Sequence, residues 1–409
     1  MAEVTILKQV NPTGGTPTTE DGITLLVVNV PVGYVTTGTL IFKSLLELQA
    51  AGITQANDLA NNVLFYEHCK DFFSQADGTE LHVLRVAEAC TFTNLFTIAN
   101  ANYVSLQNYL ASQAGKLKII AVTLKPATET HITSLSADVM TAIPLAHALA
   151  SAEYTNLRPI DIVLEGRKLT GTATLASNLR LLASGNVSVM VGRDATRKAE
   201  LTTAGNTGAT NYAAVGLMAG KLAKVHVGRN IGRVISESLN IVVEFSGGQK
   251  PFVEFSETDL KTLDTKGYVF FKKFPSKAGA FFNDDHTCTA KTLFDSQIVF
   301  NRVMNKASRI AVATYIESLN DEVVVDATTG QLETIVVQTL QNELQRAIEN
   351  EMLTNPDPTR EREISSAKVT IDPAQNVLAT NKIAVKLTIV PLGIAKNIET
   401  TIELINPAA

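Results

Sequence analysis

Residues 23–30, "ITLLVVNV", decide the class of fold. Apart from Thr24 and Asn29 the run is wholly aliphatic, which is what a strand covered on both faces requires. A strand wet on one side would alternate instead. Two segments at helical spacing follow, "GTLIFKSLLELQAAG" (38–52) and "LANNVLFYEHCKDFFSQ" (59–75), and then a second apolar strand, "ELHVLRV" (80–86). Strand, helix, strand in that order predicts a parallel pair joined by a crossover.

The same rhythm continues outward. Helical patterns at 102–115, 134–154, 172–185 and 211–225 alternate with strands at 116–124, 159–166 and 186–192. A largely parallel α/β domain is therefore expected over 23–234. From 235 to 365 the pattern changes to an α+β one. Strand-like "LNIVVEF" (239–245) and "GYVFFKKF" (267–274) precede the polar "NDDHTC" (283–288) and two long helices, Ser296–Leu319 and Gln331–Leu353. The second helix carries Leu332, Ile335, Val336, Leu340, Leu344, Ile348 and Met352 as one apolar stripe, with Glu343, Arg346 and Glu349 on the opposite face. No internal repeat is evident.

Both ends read as extended β-strand arms. Residues 1–22 hold a strand, Glu3–Val10, with Val4, Ile6 and Val10 on one face, and a Pro/Gly/Thr-rich linker. In 366–409, Ile383, Val385, Leu387 and Ile389 alternate with Lys382, Ala384, Lys386 and Thr388. Beyond Pro391-Leu392-Gly393, Ile398, Ile402 and Leu404 share a second apolar face with Ile394. Chain ends fray unless something ties them down, so strands this well patterned imply partners.

Composition excludes several functions. The 409 residues carry a net charge of −5 and 18 % charged side chains, without the basic face of a nucleic-acid binder. Cys69, Cys90 and Cys288 are too scattered for a disulfide framework or a cysteine zinc site. Neither a signal peptide nor a membrane span is read, so a reducing cytosol is the expected compartment.

Chemistry is sparse. No G-x-G-x-x-G follows any strand, and the nearest Walker-like stretch, "GLMAGKL" (216–222), lies inside a helical pattern whose N–H groups are already engaged. Gly216 and Gly220 read instead as a close helix crossing. "DDHTC" (284–288) groups metal-ligand types but lacks supporting spacing, so a solvated loop is expected. Cys69 reads as a small buried residue, and His131 and His147 have no triad partner at a recognisable spacing. No catalytic, cofactor or metal residue is expected.

Four ordered blocks carry a resemblance. They are residues 45–86 ("LLELQAAGITQANDLANNVLFYEHCKDFFSQADGTELHVLRV"), 212–234 ("YAAVGLMAGKLAKVHVGRNIGRV"), 266–289 ("KGYVFFKKFPSKAGAFFNDDHTCT") and 300–352 ("FNRVMNKASRI" to "AIENEM"). In order and spacing they resemble the sheath subunit of contractile tails, in the branch of phage tails and phage-derived contractile injection systems. The resemblance implies hexameric rings stacked helically around an inner tube, with terminal strands added to neighbours' sheets. It also implies baseplate and terminator partners, assembly in the bacterial cytoplasm, and contraction that drives the tube through a target envelope without nucleotide. The α/β zone would face outward and the helices of 235–365 the tube, making Glu343, Arg346 and Glu349 candidate tube contacts. Neither nucleic acid nor membrane insertion is implied. Another tail or baseplate protein, and a doubly wound α/β enzyme, are the competing classes.

Overall fold

The computed structural model describes residues 20–400 apart from 32, 35–39, 133, 252, 320, 354–361 and 397. The expected strand Glu3–Val10 lies outside the described residues. Two compact units form, Met1–Leu319 and Asn320–Ala409.

The first unit is built on a six-stranded sheet. Its strands are β1 (Thr24–Asn29), β2 (Ile41–Phe42), β3 (Leu81–Val86), β4 (Ile119–Thr123), β5 (Asp161–Glu165) and β6 (Val187–Met190), in the order β2-β3-β1-β4-β5-β6. Only β2 runs antiparallel to its neighbour. Every residue of β1, β4, β5 and β6 is buried, so the aliphatic run at 23–30 does occupy a doubly covered sheet. Alternate residues serve the two faces. Leu26, Val28, Ala121 and Val163 pack with helices α1 (Phe65–Ala76) and α4 (Val215–Lys224). Leu25, Val27, Ile120, Val122, Ile162 and Leu164 pack with α2 (Ala101–Ser112) and α3 (Ala137–Thr155).

The expected close crossing is present where α4 meets α1. A Cβ placed on Gly216 would fall against the His68 carbonyl oxygen, and one on Gly220 against that of Phe72, both far inside van der Waals contact. The Walker-like spacing is thus a packing device between two backbones.

Two expectations change. Residues 172–185 form turns and one short 3₁₀ turn, Leu179–Leu181, instead of a helix. The cause is tertiary: Lys266 Nζ donates to the carbonyls of Ala173, Thr174 and Ala176 at 3.0, 2.7 and 2.6 Å. A helix would have used those acceptors itself. Secondly, "DDHTC" is a buried junction and no solvated loop; Asp284, Asp285, His286, Thr287 and Cys288 all lie in the interior. Asp285 accepts the first N–H groups of helix α5 (Ile298–Tyr315), from Ile298 at its carbonyl (2.9 Å) and from Val299 at Oδ2 (2.8 Å). Arg180 donates to His286 Nδ1 at 2.6 Å, which leaves Nε2–H to donate to Asp264 at 2.9 Å. Among the described residues no group of three or more His, Cys, Asp or Glu is arranged to hold a metal.

The two compact units divide at 319/320. Helix α5 belongs to the first unit because its polar face grips the amino-terminal side of the sheet. Asn305 Nδ2 donates to Asp161 Oδ2 (3.0 Å), and Arg302 donates to the Val225 carbonyl (3.0 Å).

Counting parallel strands alone, the order is the doubly wound 2-1-3-4-5, in which ligands bind at the carboxyl ends beside the switch point between β1 and β4. Here that crevice is closed. A cavity of about 20 Å³ remains, lined by Val28, Asn29, Thr123, Lys125 and Arg167 among others, room for roughly one water. Side chains fill the rest. Asn29 Nδ2 donates to the Glu88 and Lys125 carbonyls (2.8 and 2.9 Å), and Arg167 to Glu129 (2.7 Å) and Glu165 (3.1 Å). Thr123 donates to Glu165 (2.7 Å) and accepts from His68 Nε2 (3.0 Å).

Two outcomes are expected. Gly220→Ala should cost about 1–3 kcal/mol through overpacking of the α1–α4 crossing, measured as a lower urea midpoint with an unchanged slope. The second concerns pH. Burial, with Arg167 nearby, pushes His68 down to about 3, whereas in the unfolded chain it titrates near 6.5. Between these values the unfolded chain binds a proton that the folded one refuses, so stability falls as the pH drops through that window. His68→Gln should flatten this part of the stability–pH curve.

Candidate functional site

The candidate site is the second unit, where the terminal strand pattern is tested against backbone geometry. Helix α6 (Thr334–Ile348) continues into one π turn, Glu349–Leu353. Strand β7 (Ile364–Ile371) pairs antiparallel with β8 (Val385–Pro391), with Ile371 opposite Val385, Val369 opposite Leu387 and Ala367 opposite Ile389. The alternation read in 381–391 is physical. Ile383, Val385, Leu387 and Ile389 are half-buried, while Lys382, Ala384, Lys386 and Thr388 are exposed. Leu332, Val337 and Ile371 form a small core against which Val336, Leu340, Ile383 and Val385 pack.

Pairing corrects one expectation. Residues 385–391 do not leave the subunit as a free arm; their first partner is β7 of the same chain. Only from 392 onward do the described residues carry no strand, and there Ile398 is 86 % exposed. Ile402 and Leu404, like Val4, Ile6 and Val10, lie outside the described residues.

Sequence reasoning missed the residue that organises this hairpin. Gln345, in the fourth turn of α6, accepts the Val369 N–H at Oε1 (3.0 Å) and donates from Nε2 to the Ala367 carbonyl (3.1 Å). Its amide thus behaves as a one-residue strand laid along the outer edge of β7, helped by Gln341, which donates to the Ile371 carbonyl at 3.5 Å. That edge is closed to any other strand. The same bonds fix the direction of the backbone groups. In an antiparallel ladder, directly opposite residues either exchange bonds or both point away from each other. Ala367 and Val369 point away from β8, so their partners Ile389 and Leu387 point away from β7. By the same parity so does Val385. The hairpin is two-stranded, and among the described residues no strand covers the outer edge of β8. Pro391, which has no N–H, ends the row of donors.

The α6 stripe also resolves. Leu332, Val337, Leu344, Ile348 and Met352 are buried, and Val336 and Leu340 half-buried, but Ile335 is 68 % exposed. Val337 takes its place because α6 begins only at Thr334, which sets the face turned to β7. Glu343 and Arg346 are exposed; Glu349 is half-buried and accepts from Gln345 Nε2 at 2.6 Å.

Comparison with known proteins follows this geometry. The fold is that of contractile sheath proteins. The sheath chain of the anti-feeding prophage helical sheath in its contracted state aligns over 98 % of both chains, with a TM-score of 0.61 at 14 % identity. A chain of the anti-feeding prophage baseplate gives 0.60 over 98 % of both chains at 11 % identity. The contracted sheath complex of an extracellular contractile injection system, PVC, gives 0.58 at 12 % identity, covering 98 % of this chain and 97 % of that one. At these identities the likeness is one of fold. By sequence, the chain belongs to the DUF2586 family, whose N-terminal domain matches residues 3–286 and whose C-terminal domain matches 297–409. No curated protein matches by sequence.

Gln345→Leu should leave the Val369 N–H and Ala367 C=O without their side-chain partners at a half-buried seam, costing about 1 kcal/mol. Amide exchange at Val369 should accelerate while that at β1 stays as it was.

Proposed function

We propose that this protein is a structural subunit of a contractile tail sheath, with no enzymatic role. The observation that carries the reading is the outer edge of β8, which no strand covers among the described residues, on a chain that aligns over 98 % of its length with sheath proteins. The subunits form hexameric rings stacked helically around an inner tube. Each hairpin accepts extended segments from neighbouring copies along Val385, Leu387 and Ile389. The donated segments are the amino-terminal strand bearing Val4, Ile6 and Val10 and the carboxy-terminal stretch bearing Ile398, Ile402 and Leu404.

Strand addition suits a lattice that must hold while its subunits move. Backbone groups supply the bonds and one apolar face sets register. At roughly 0.5–1.5 kcal/mol net per hydrogen bond, one added strand contributes on the order of a few kcal/mol, largely offset by the cost of ordering the segment. In a closed lattice each segment is held at high effective concentration, so the mesh persists. Contraction draws on subunit contacts, consistent with a switch-point crevice too small for a nucleotide. The α/β unit faces outward, and the exposed side of α6, with Glu343 and Arg346 and the half-buried Glu349 beside them, is the candidate face toward the tube. Baseplate and terminator proteins are the further partners, and assembly takes place in the bacterial cytoplasm before the particle is anchored or released. Among the described residues no helix is long and apolar enough to cross a membrane.

A baseplate component is the second reading, favoured by the comparable likeness to a chain of the anti-feeding prophage baseplate. Electron microscopy of the overexpressed chain separates the two. Striated hollow cylinders support the sheath, and plates or isolated globules overturn it. Leu387→Pro removes an outward-pointing N–H, so it should abolish cylinders while the melting of the first unit is unchanged.

A further inference from the structure

The first described residues, Glu20–Gly22, form a single 3₁₀ turn that is fastened on two sides. Asp21 Oδ2 lies 3.0 Å from Lys306 Nζ, and Asp21 Oδ1 accepts from Arg309 Nη2 at 2.7 Å. The three side chains are only 14 %, 7 % and 19 % exposed. Next along the chain, a Cβ on Gly22 would stand 2.5 Å from the Ala223 carbonyl oxygen, so only glycine lets the turn seat on the end of α4. Thr24 Oγ1 donates back to the Gly22 carbonyl at 2.9 Å and closes the turn onto β1.

The cations come from one face of α5, where Arg302, Lys306 and Arg309 recur at helical spacing. That helix is itself fixed to the sheet by Asn305 on Asp161 and by Arg302 on Val225. Burial pushes the Asp21 carboxyl up, but Lys306, Arg309 and Arg302 outweigh it and hold it below the usual carboxylate range. The group stays ionised, and the clamp stays closed, well below neutral pH.

A firm turn stands immediately after a Pro/Gly/Thr-rich stretch, residues 11–19. Without the clamp, any pull on residues 1–19 would act directly on Thr24–Asn29, the strand at the middle of the sheet between β3 and β4, and would peel it from one end. With the clamp, the pull meets two charge-assisted bonds and passes into α5, the last long helix before the second unit.

We propose that Asp21 is a positioning residue for assembly: its ion pairs with Lys306 and Arg309 fix where the amino-terminal segment departs and divert tension on it from β1 into α5. This rests on the reading that residues 3–10 engage a neighbouring subunit. Three proteins test it: the wild type, Asp21→Asn, and the swapped pair Asp21→Arg with Arg309→Asp. Hydrogen exchange on the unassembled chain reads the clamp itself. Amides of Gly22 to Leu25 should exchange at least about tenfold faster in Asp21→Asn and return toward wild type in the swap, while α1 and β4 stay protected. Pelleting and electron microscopy read assembly. Cylinder yield should fall at least about tenfold in Asp21→Asn with a similar amount of folded monomer, and recover in the swap. Unchanged exchange at 22–25 overturns the proposal, and so does faster exchange with normal cylinders. If the wild type itself forms no cylinders, the sheath reading fails, and exchange at 22–25 alone decides whether Asp21 is an anchor.

Discussion

The structure of the second unit depends on one side-chain amide. A two-stranded hairpin has two open edges and no reason to prefer either for association. Gln345 removes the symmetry by giving the outer edge of β7 both an acceptor and a donor from α6. One edge is thereby taken by the subunit's own helix, and among the described residues no strand covers the row at Val385, Leu387 and Ile389. A leucine at 345 would pack equally well but would leave both edges wanting bonds. The asymmetry of the hairpin follows from a hydrogen-bonding choice made on a helix, outside the strands themselves.

The first unit shows how a fold associated with ligand binding can be used as a rigid body. Its strand order is a doubly wound one, and the switch point is where a ligand would sit. Asn29, Thr123, Glu165 and Arg167 occupy that place with a buried polar network instead. Such a network rigidifies only when its members are satisfied, and here Arg167 is shared between Glu129 and Glu165 while Thr123 links Glu165 to His68. The tight α1–α4 crossing works in the same direction, since two helices in backbone contact slide less freely than two separated by long side chains.

The polar residues that look most like chemistry in the sequence turn out to be joints. Asp285 starts α5, Arg180 and His286 hold that start against Asp264, and Asp21 fastens the same helix further along at Lys306 and Arg309. Each is costly to bury alone and stable only with its partners. The joints therefore fold together or not at all, which ties α5 to the sheet and moves the division of the chain beyond it.

Taken alone, the sequence determined the periodic features: the doubly buried strand at 23–30, the parallel α/β succession, the glycine crossing in 216–220 and the alternation of 383–389. These are legible because a period of two or of about three and a half is a property of neighbours along the chain. Whatever depends on a distant partner was decided by the tertiary structure. Lys266 takes three carbonyls from 173–176 and unmakes a well-patterned helix. Arg180, bonded to His286, and Asn230, which donates from Nδ2 to Asp284 (2.6 Å) and Asp285 (2.7 Å), draw "DDHTC" inside. Strand β7 claims 385–391 for its own subunit, and Gln345, unremarkable among the polar residues of α6, selects the edge left open. Local pattern records which face of an element is apolar, but which hydrogen bonds that element keeps is settled only when residues distant along the chain are brought together.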